Sequence, residues 1–194
     1  MKIVFGGAFN PVTNAHILVY KFLKEKLMVE EFIFLPVSNA YTKSELVSNY
    51  HRLNMLKIAT KQFKDVVISD LEINDSNYFG TYQSLIRLAD KKASELSFVI
   101  GADNLLKMDK WINIEGILSE FKIIVLGRNK LNIERIISEN PLLNKFRKSF
   151  LIYEQFDVDI SSTSFRKTFD RTKLDDEVFQ YIIDHNLYRG EKDV

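Results

Sequence analysis

Two short strings hold the residues best suited to chemistry. The first, GGAFNPVTNAH, begins at Gly6, directly after the apolar run Ile3-Val4-Phe5. Gly6 and Gly7 lack side chains, so a phosphate can approach their backbone closely. Ala8 and Phe9 continue the same loop, and a helix is expected to open near Asn14. Thr13 and His16 stand three residues apart at that opening and so share one helix face. A hydroxyl and an imidazole there both suit phosphate oxygens, with the positive end of the helix dipole behind them. Placed at an α-phosphate, they stabilise the charge that builds during in-line displacement. The second string, ISSTSFR, runs from Ile160 to Arg166. Ser161, Ser162 or Thr163 can cap a helix and turn free N–H groups toward an anion. Arg166 follows about one turn later with a planar fork for phosphate. Two phosphate junctions in one small chain suggest chemistry on a nucleoside triphosphate.

Each string also has a plainer reading. A glycine pair makes an ordinary strand-to-helix turn, and hydroxyl caps followed by arginine occur in many helices. No Gly-Lys-Ser/Thr follows the glycines, so this is no Walker loop, and the G-x-G-x-x-G fingerprint of hydride-transfer folds is missing. Elsewhere, Lys43 lies in the polar loop after a strand ending near Pro36, with Arg52 just beyond. Gly101-Ala102-Asp103 follows another strand, where the carboxylate either holds a ribose hydroxyl or caps a helix. Trp111, the single tryptophan, is either a core residue or a surface on which a flat ring stacks. Arg128 after Gly127 is a further phosphate candidate. His51 and His185 read as structural or surface residues. Three scattered histidines and no cysteine make no zinc set. A magnesium ion carried by a triphosphate needs few protein ligands.

Positioning these residues requires alternating strands and helices. Strands are expected at Ile3–Phe5, Phe32–Val37, Val66–Ser69, Leu96–Ile100, Phe121–Leu126 and Phe150–Tyr153. Between them, Ala15, Leu18, Val19, Phe22, Leu23 and Leu27 recur at helical spacing. Leu53, Leu56 and Phe63 mark a second helix, and Tyr82, Leu85, Ile86 and Ala89 a third. Val178, Tyr181 and Ile182 mark a terminal one. Nearly all-apolar strands alternating with helices predict an α/β fold: a Rossmann-like, doubly wound parallel sheet covered on both faces. Such a sheet binds ligands beyond the carboxyl ends of its strands, near a switch in strand order. No linker or repeat is visible. A single domain over 1–194 is expected, with a small C-terminal helical segment at about 161–190 carrying ISSTSFR.

Composition excludes several classes. Formal charge is +1, with 27 basic against 26 acidic side chains, so no basic excess points to nucleic acid. No apolar stretch approaches the ~20 residues that cross a bilayer. The chain enters a strand at once, leaving no room for a signal peptide, and a cytoplasmic location is expected.

With these residues in view, the chain resembles the nucleotidylyltransferase superfamily with the T/HxGH motif. Its likeness is strongest to the nicotinate/nicotinamide mononucleotide adenylyltransferases. PVSNAYTK, YHRLNML, DLEIN, FVIGADNLLKMDKW, LGR and VFQYIIDHNLY add to the two strings, so the likeness spans almost the whole chain. It implies adenylyl transfer from ATP to nicotinate or nicotinamide mononucleotide, releasing pyrophosphate in NAD biosynthesis. By that likeness His16 is the main catalytic position, with Thr13 and Arg166 on ATP phosphates beside Ser161, Ser162 and Thr163. Gly101 and Asp103 fall at the adenosine ribose. Trp111 stacks on the pyridine with Thr81 and Tyr82 nearby, while Lys43 and Arg128 are candidates for the mononucleotide phosphate. Magnesium enters with ATP, and no tightly bound cofactor or protein-held metal is implied. Three departures stand out. Ala15 replaces the usual glycine before the histidine, Asn10 replaces an aspartate, and AYTK replaces PHK. They lean toward the eukaryotic-type or dual-specificity pattern and leave open the choice between acid and amide. Phosphopantetheine adenylyltransferase, another nucleotidylyltransferase, or a non-catalytic nucleotide-binding module on the same fold are the rival readings. A homo-oligomer is left open.

Overall fold

Six parallel strands build the sheet in the order β3-β2-β1-β4-β5-β6. The computed structural model describes residues 1–41, 46–77, 79–89, 95–156, 158 and 161–189. The strands are β1 (Lys2–Gly7), β2 (Glu31–Pro36), β3 (Val66–Ile68), β4 (Leu96–Gly101), β5 (Lys122–Leu126) and β6 (Phe150–Tyr153). Their helices are α1 (Asn14–Lys26), α2 (Asn49–Thr60), α3 (Thr81–Ala89), α4 (Leu105–Met108) and α5 (Ile114–Glu120), then α6 (Ile133–Glu139), α7 (Pro141–Lys145), α8 (Ser162–Thr168) and α9 (Asp176–Asp184).

Side chains alternate across a strand, and here both faces are buried, so two cores share one sheet. Ile3, Phe32, Phe34, Val99, Ile124 and Leu126 enter one core, with residues of α1, α2, α8 and α9. Val4, Ile33, Leu35, Phe98, Ile100, Ile123 and Val125 enter the other, with residues of α3 to α7. The C-terminal segment belongs to the first core through Phe165, Leu174, Val178 and Ile182. The order reverses between β1, which continues toward β2 and β3, and β4, which continues toward β5 and β6. A crevice therefore opens where the chain leaves the carboxyl ends of β1 and β4.

Several local expectations shift. β1 extends through both glycines. The buried side of α1 is Ile17, Val19, Tyr20 and Leu23, whereas Leu18 is 41% exposed. α2 stops at Thr60, and Phe63 lies beyond it against the Tyr20 ring, with centroids 4.7 Å apart. The sequence reading named no helices between β4 and β6, where α4 to α7 lie. Each spans only four to seven residues, too short for a helical period to register. Their capping signals were present, however. Asn132 caps α6, and Asn140 caps α7 with Pro141 at its start.

Candidate active site

His16 is built into the mouth of the crevice by its own helix. Thr13 is the N-cap of α1, in extended conformation (φ −123°, ψ 168°). From the third helical position the His16 ring folds back, and its Nδ1 accepts the Thr13 backbone N–H at 2.9 Å. The Thr13 hydroxyl lies 2.9 Å from the same nitrogen. Phe9 and Phe5 flank the ring, with centroids 5.1 and 5.9 Å away. Burial, helped by the positive charge of Arg128, lowers the His16 pKa from 6.5 to about 4. The imidazole is thus neutral at pH 7. With Nδ1 occupied as an acceptor, its proton sits on Nε2 as a fixed hydrogen-bond donor. The first turn of α1 carries no acidic side chain, so its positive dipole end is uncompensated.

A cleft of about 750 Å³ opens over the carboxyl ends of the strands. It brings together His16, Gly6, Gly7, Ala8, Phe9 and Gly101 with Ser161, Ser162, Thr163 and Arg166. Thr81, Trp111 and Arg128 line it as well. The two strings from opposite ends of the chain therefore face one space. They also touch each other: the Ser162 hydroxyl donates to the Pro11 carbonyl at 2.8 Å, and Arg166 Nη1 to the Asn10 carbonyl at 2.5 Å. Ser161 caps α8 by accepting the Ser164 N–H at 3.0 Å.

The glycines have packing reasons of their own. A Cβ at Gly6 would meet the Phe98 ring at 3.2 Å, and one at Gly7 the Phe9 ring at 3.1 Å. At Gly101 it would meet Asp103 Oδ1 at 2.6 Å. Gly127 is the strictest case, because a Cβ there runs into the carbonyl oxygens of Glu154 and Phe156.

Not every expected residue faces the cleft. Thr13 is only 2% exposed and sits beneath the imidazole, so its hydroxyl serves His16 directly. Tyr82 turns away: its hydroxyl donates to Glu120 Oε1 at 2.6 Å, and its ring packs against α5 at Gly116. Asp103 folds back over Gly101, 3.9 Å from the Arg128 guanidinium, with Oδ1 buried and, among the described residues, no hydrogen-bond donor to it. Lys43 and Ile160 lie outside the described residues. His51 and His185 are away from the cleft, His51 against the Tyr181 hydroxyl at 2.9 Å and His185 stacked on the Tyr181 ring.

Three residues to which the sequence assigns no site role also shape the site. Asn10 lines the cleft and is 3% exposed. Glu72 lines it too, accepts the Ser84 hydroxyl at 2.7 Å, and has its pKa raised chiefly by burial. Arg52 is fully buried beneath the first string. It donates to the carbonyls of Ala8 (2.7 Å), Val37 (2.6 Å) and Val47 (3.1 Å), and to Asn39 and Asn49 Oδ1 (2.7 and 2.6 Å). A readable signal existed, since Arg52 shares a helical face with Met55, Leu56 and Ala59. Among the described residues no group of three or more His, Asp or Glu side chains is placed to hold a metal. None of the described helices is long and apolar enough to cross a membrane.

Known proteins resemble this chain in sequence and in fold. The cytidylyltransferase-like family model matches residues 4–168. A probable nicotinate-nucleotide adenylyltransferase of Acholeplasma laidlawii is 33% identical over 197 residues, covering 99% of this chain and all of the relative. Its counterpart in Clostridium acetobutylicum is 34% identical over 170 residues, covering 86% and 85% of the two chains. Two structures of the Plasmodium falciparum nicotinic acid mononucleotide adenylyltransferase, complexed with APC and with NaAD, share the fold. They give TM-scores of 0.75 and 0.74 over 96% of both chains, at 21% and 20% identity. The shared fold and the end-to-end likeness lead to one conclusion: this chain belongs to the cytidylyltransferase-like family, among its nicotinate-nucleotide adenylyltransferases.

Proposed function

We propose that this enzyme transfers the adenylyl group of ATP to the 5′-phosphate of nicotinate mononucleotide, forming deamido-NAD and pyrophosphate. Nicotinamide mononucleotide, which would yield NAD, is the second acceptor to be compared. The observation that carries the reading is the shared cleft, where the neutral His16 Nε2–H and the Arg166 guanidinium face the same space.

A mononucleotide phosphate oxygen attacks the α-phosphorus of ATP, and the bond to the α–β bridging oxygen breaks as pyrophosphate leaves. The nucleophile is already an anion at neutral pH, so no general base is needed and no covalent enzyme intermediate forms. What remains is positioning and charge stabilisation. His16 Nε2 donates to the α-phosphate, held rigid by the Thr13 N–H. Arg166, Ser161, Ser162 and Thr163 hold the β- and γ-phosphates. Arg128 meets the mononucleotide phosphate, Trp111 stacks on the pyridine beside Thr81, and Gly101 borders the ribose. Magnesium carried in with the triphosphate would neutralise phosphate charge beside Arg166 and the α8 hydroxyls.

Pyrophosphate release with ATP and each acceptor in turn tests the proposal. Nicotinate mononucleotide should turn over fastest. Faster turnover with phosphopantetheine would reassign the enzyme within its family. Nucleotide binding without release under any acceptor would make it a binding module.

A further inference from the structure

The closing string VFQYIIDHNLY takes no part in the chemistry above, yet its last residue reaches Asn10, which lines the cleft. After α9 the chain turns back, with Asn186 and Tyr188 both in the left-handed region (φ 51° and 63°). A bulky residue there is strained, so its surroundings must hold it. Two contacts do so. The Tyr188 hydroxyl donates to Asn10 Oδ1 at 2.9 Å, and its ring meets Phe165 edge-on with centroids 6.1 Å apart.

Asn10 joins three other segments to its own loop. Its Oδ1 also accepts the Val47 N–H at 3.2 Å. Its main-chain carbonyl accepts Arg166 Nη1 at 2.5 Å. The neighbouring carbonyl, of Pro11, takes the Ser162 hydroxyl. Side chain and backbone of one buried residue thus tie together the loop before α2, Arg166 of α8 and the C-terminal turn. The phenol feels the positive charges of both Arg52 and Arg166, but burial outweighs them and raises its pKa. It stays a neutral donor, and Asn10 Oδ1 stays the acceptor.

We infer that Tyr188 is a positioning residue for the polyphosphate tail of ATP. Through Asn10 it fixes the carbonyl on which the Arg166 guanidinium is seated, and so sets where that guanidinium meets the β- and γ-phosphates. This rests on the proposed function, because it needs a triphosphate in the cleft. The ring serves Phe165 and the oxygen serves Asn10, so the two roles separate cleanly.

Tyr188→Phe keeps the ring and removes the oxygen. Equilibrium binding of α,β-methylene ATP and of AMP is measured on wild type and variant, at a temperature where melting curves show both folded. The analogue should bind about fivefold more weakly to the variant, the worth of one hydrogen bond, with AMP affinity unchanged. Unchanged affinity for the analogue overturns the inference. Equal weakening of analogue and AMP also overturns it, because that is general loosening of the site. A variant that no longer melts cooperatively assigns the hydroxyl to folding and does the same. Wild type that binds neither nucleotide overturns the proposed function itself, and the inference falls with it.

Discussion

His16 owes its character to its neighbours: an N–H on Nδ1, two phenyl rings, and a guanidinium across the cleft. Burial and Arg128 lower its native pKa to about 4, against 6.5 when unfolded. As pH falls through 6.5 the unfolded chain takes up a proton that the folded chain refuses until about 4. This one group therefore costs the native state stability across that window and no more below it. Urea midpoints measured across the window should drop less for His16→Gln than for wild type, since all other groups are common to both. Parallel midpoint curves would remove the burial account of His16. Trp111 carries a separate claim. It is half-buried on the cleft, its ring 6.2 Å from Phe98. Trp111→Ala should raise the KM for the mononucleotide about tenfold, as losing a stacking platform does, and leave the KM for ATP alone. A melting defect with both KM values unchanged would make Trp111 a packing residue. Both residues were singled out in the sequence and both line the cleft, while the role given to Trp111 comes from the resemblance and rests on the variant above. The inward turn of Thr13 and the outward turn of Tyr82 were not legible, because side-chain direction depends on tertiary packing.

Among the elements, α2 does the most to set the site while contributing the least visible chemistry. Arg52 carries its charge into the interior with five oxygen acceptors and, among the described residues, no carboxylate. Burial lowers its pKa, and the carbonyl dipoles hold it in place. It fixes the loop after β1 to the loop after β2. Arg52→Met keeps bulk but leaves those oxygens unsatisfied, at a cost of about 3 kcal/mol or more. For a chain of this size that lowers Tm by about 10 °C. A thermal melt within 2–3 °C of wild type, about the effect of a single kcal/mol, would contradict the structural role given to it. The strands were legible because six apolar runs alternate with polar stretches. α4 to α7 were not, because their sequence signal lies in caps and not in periodicity.

At the scale of the whole molecule, one sheet reverses its winding between β1 and β4, and both strings line the crevice that opens at the reversal. Alternation of elements predicted a crevice at such a switch. It did not predict that Asn10 and Glu72 would line it or that Tyr188 would brace Asn10, since these depend on contacts spanning up to most of the sequence. The account stands on that convergence: a neutral imidazole from the first string and a guanidinium from the second act on one polyphosphate. The most direct measurement is the steady-state rate of dinucleotide formation by His16→Ala beside wild type, at saturating ATP and nicotinate mononucleotide. The account predicts a kcat lower by about 10²–10³, the worth of one preorganised donor, with the melting curve retained. A folded variant that turns over at the wild-type rate would contradict it.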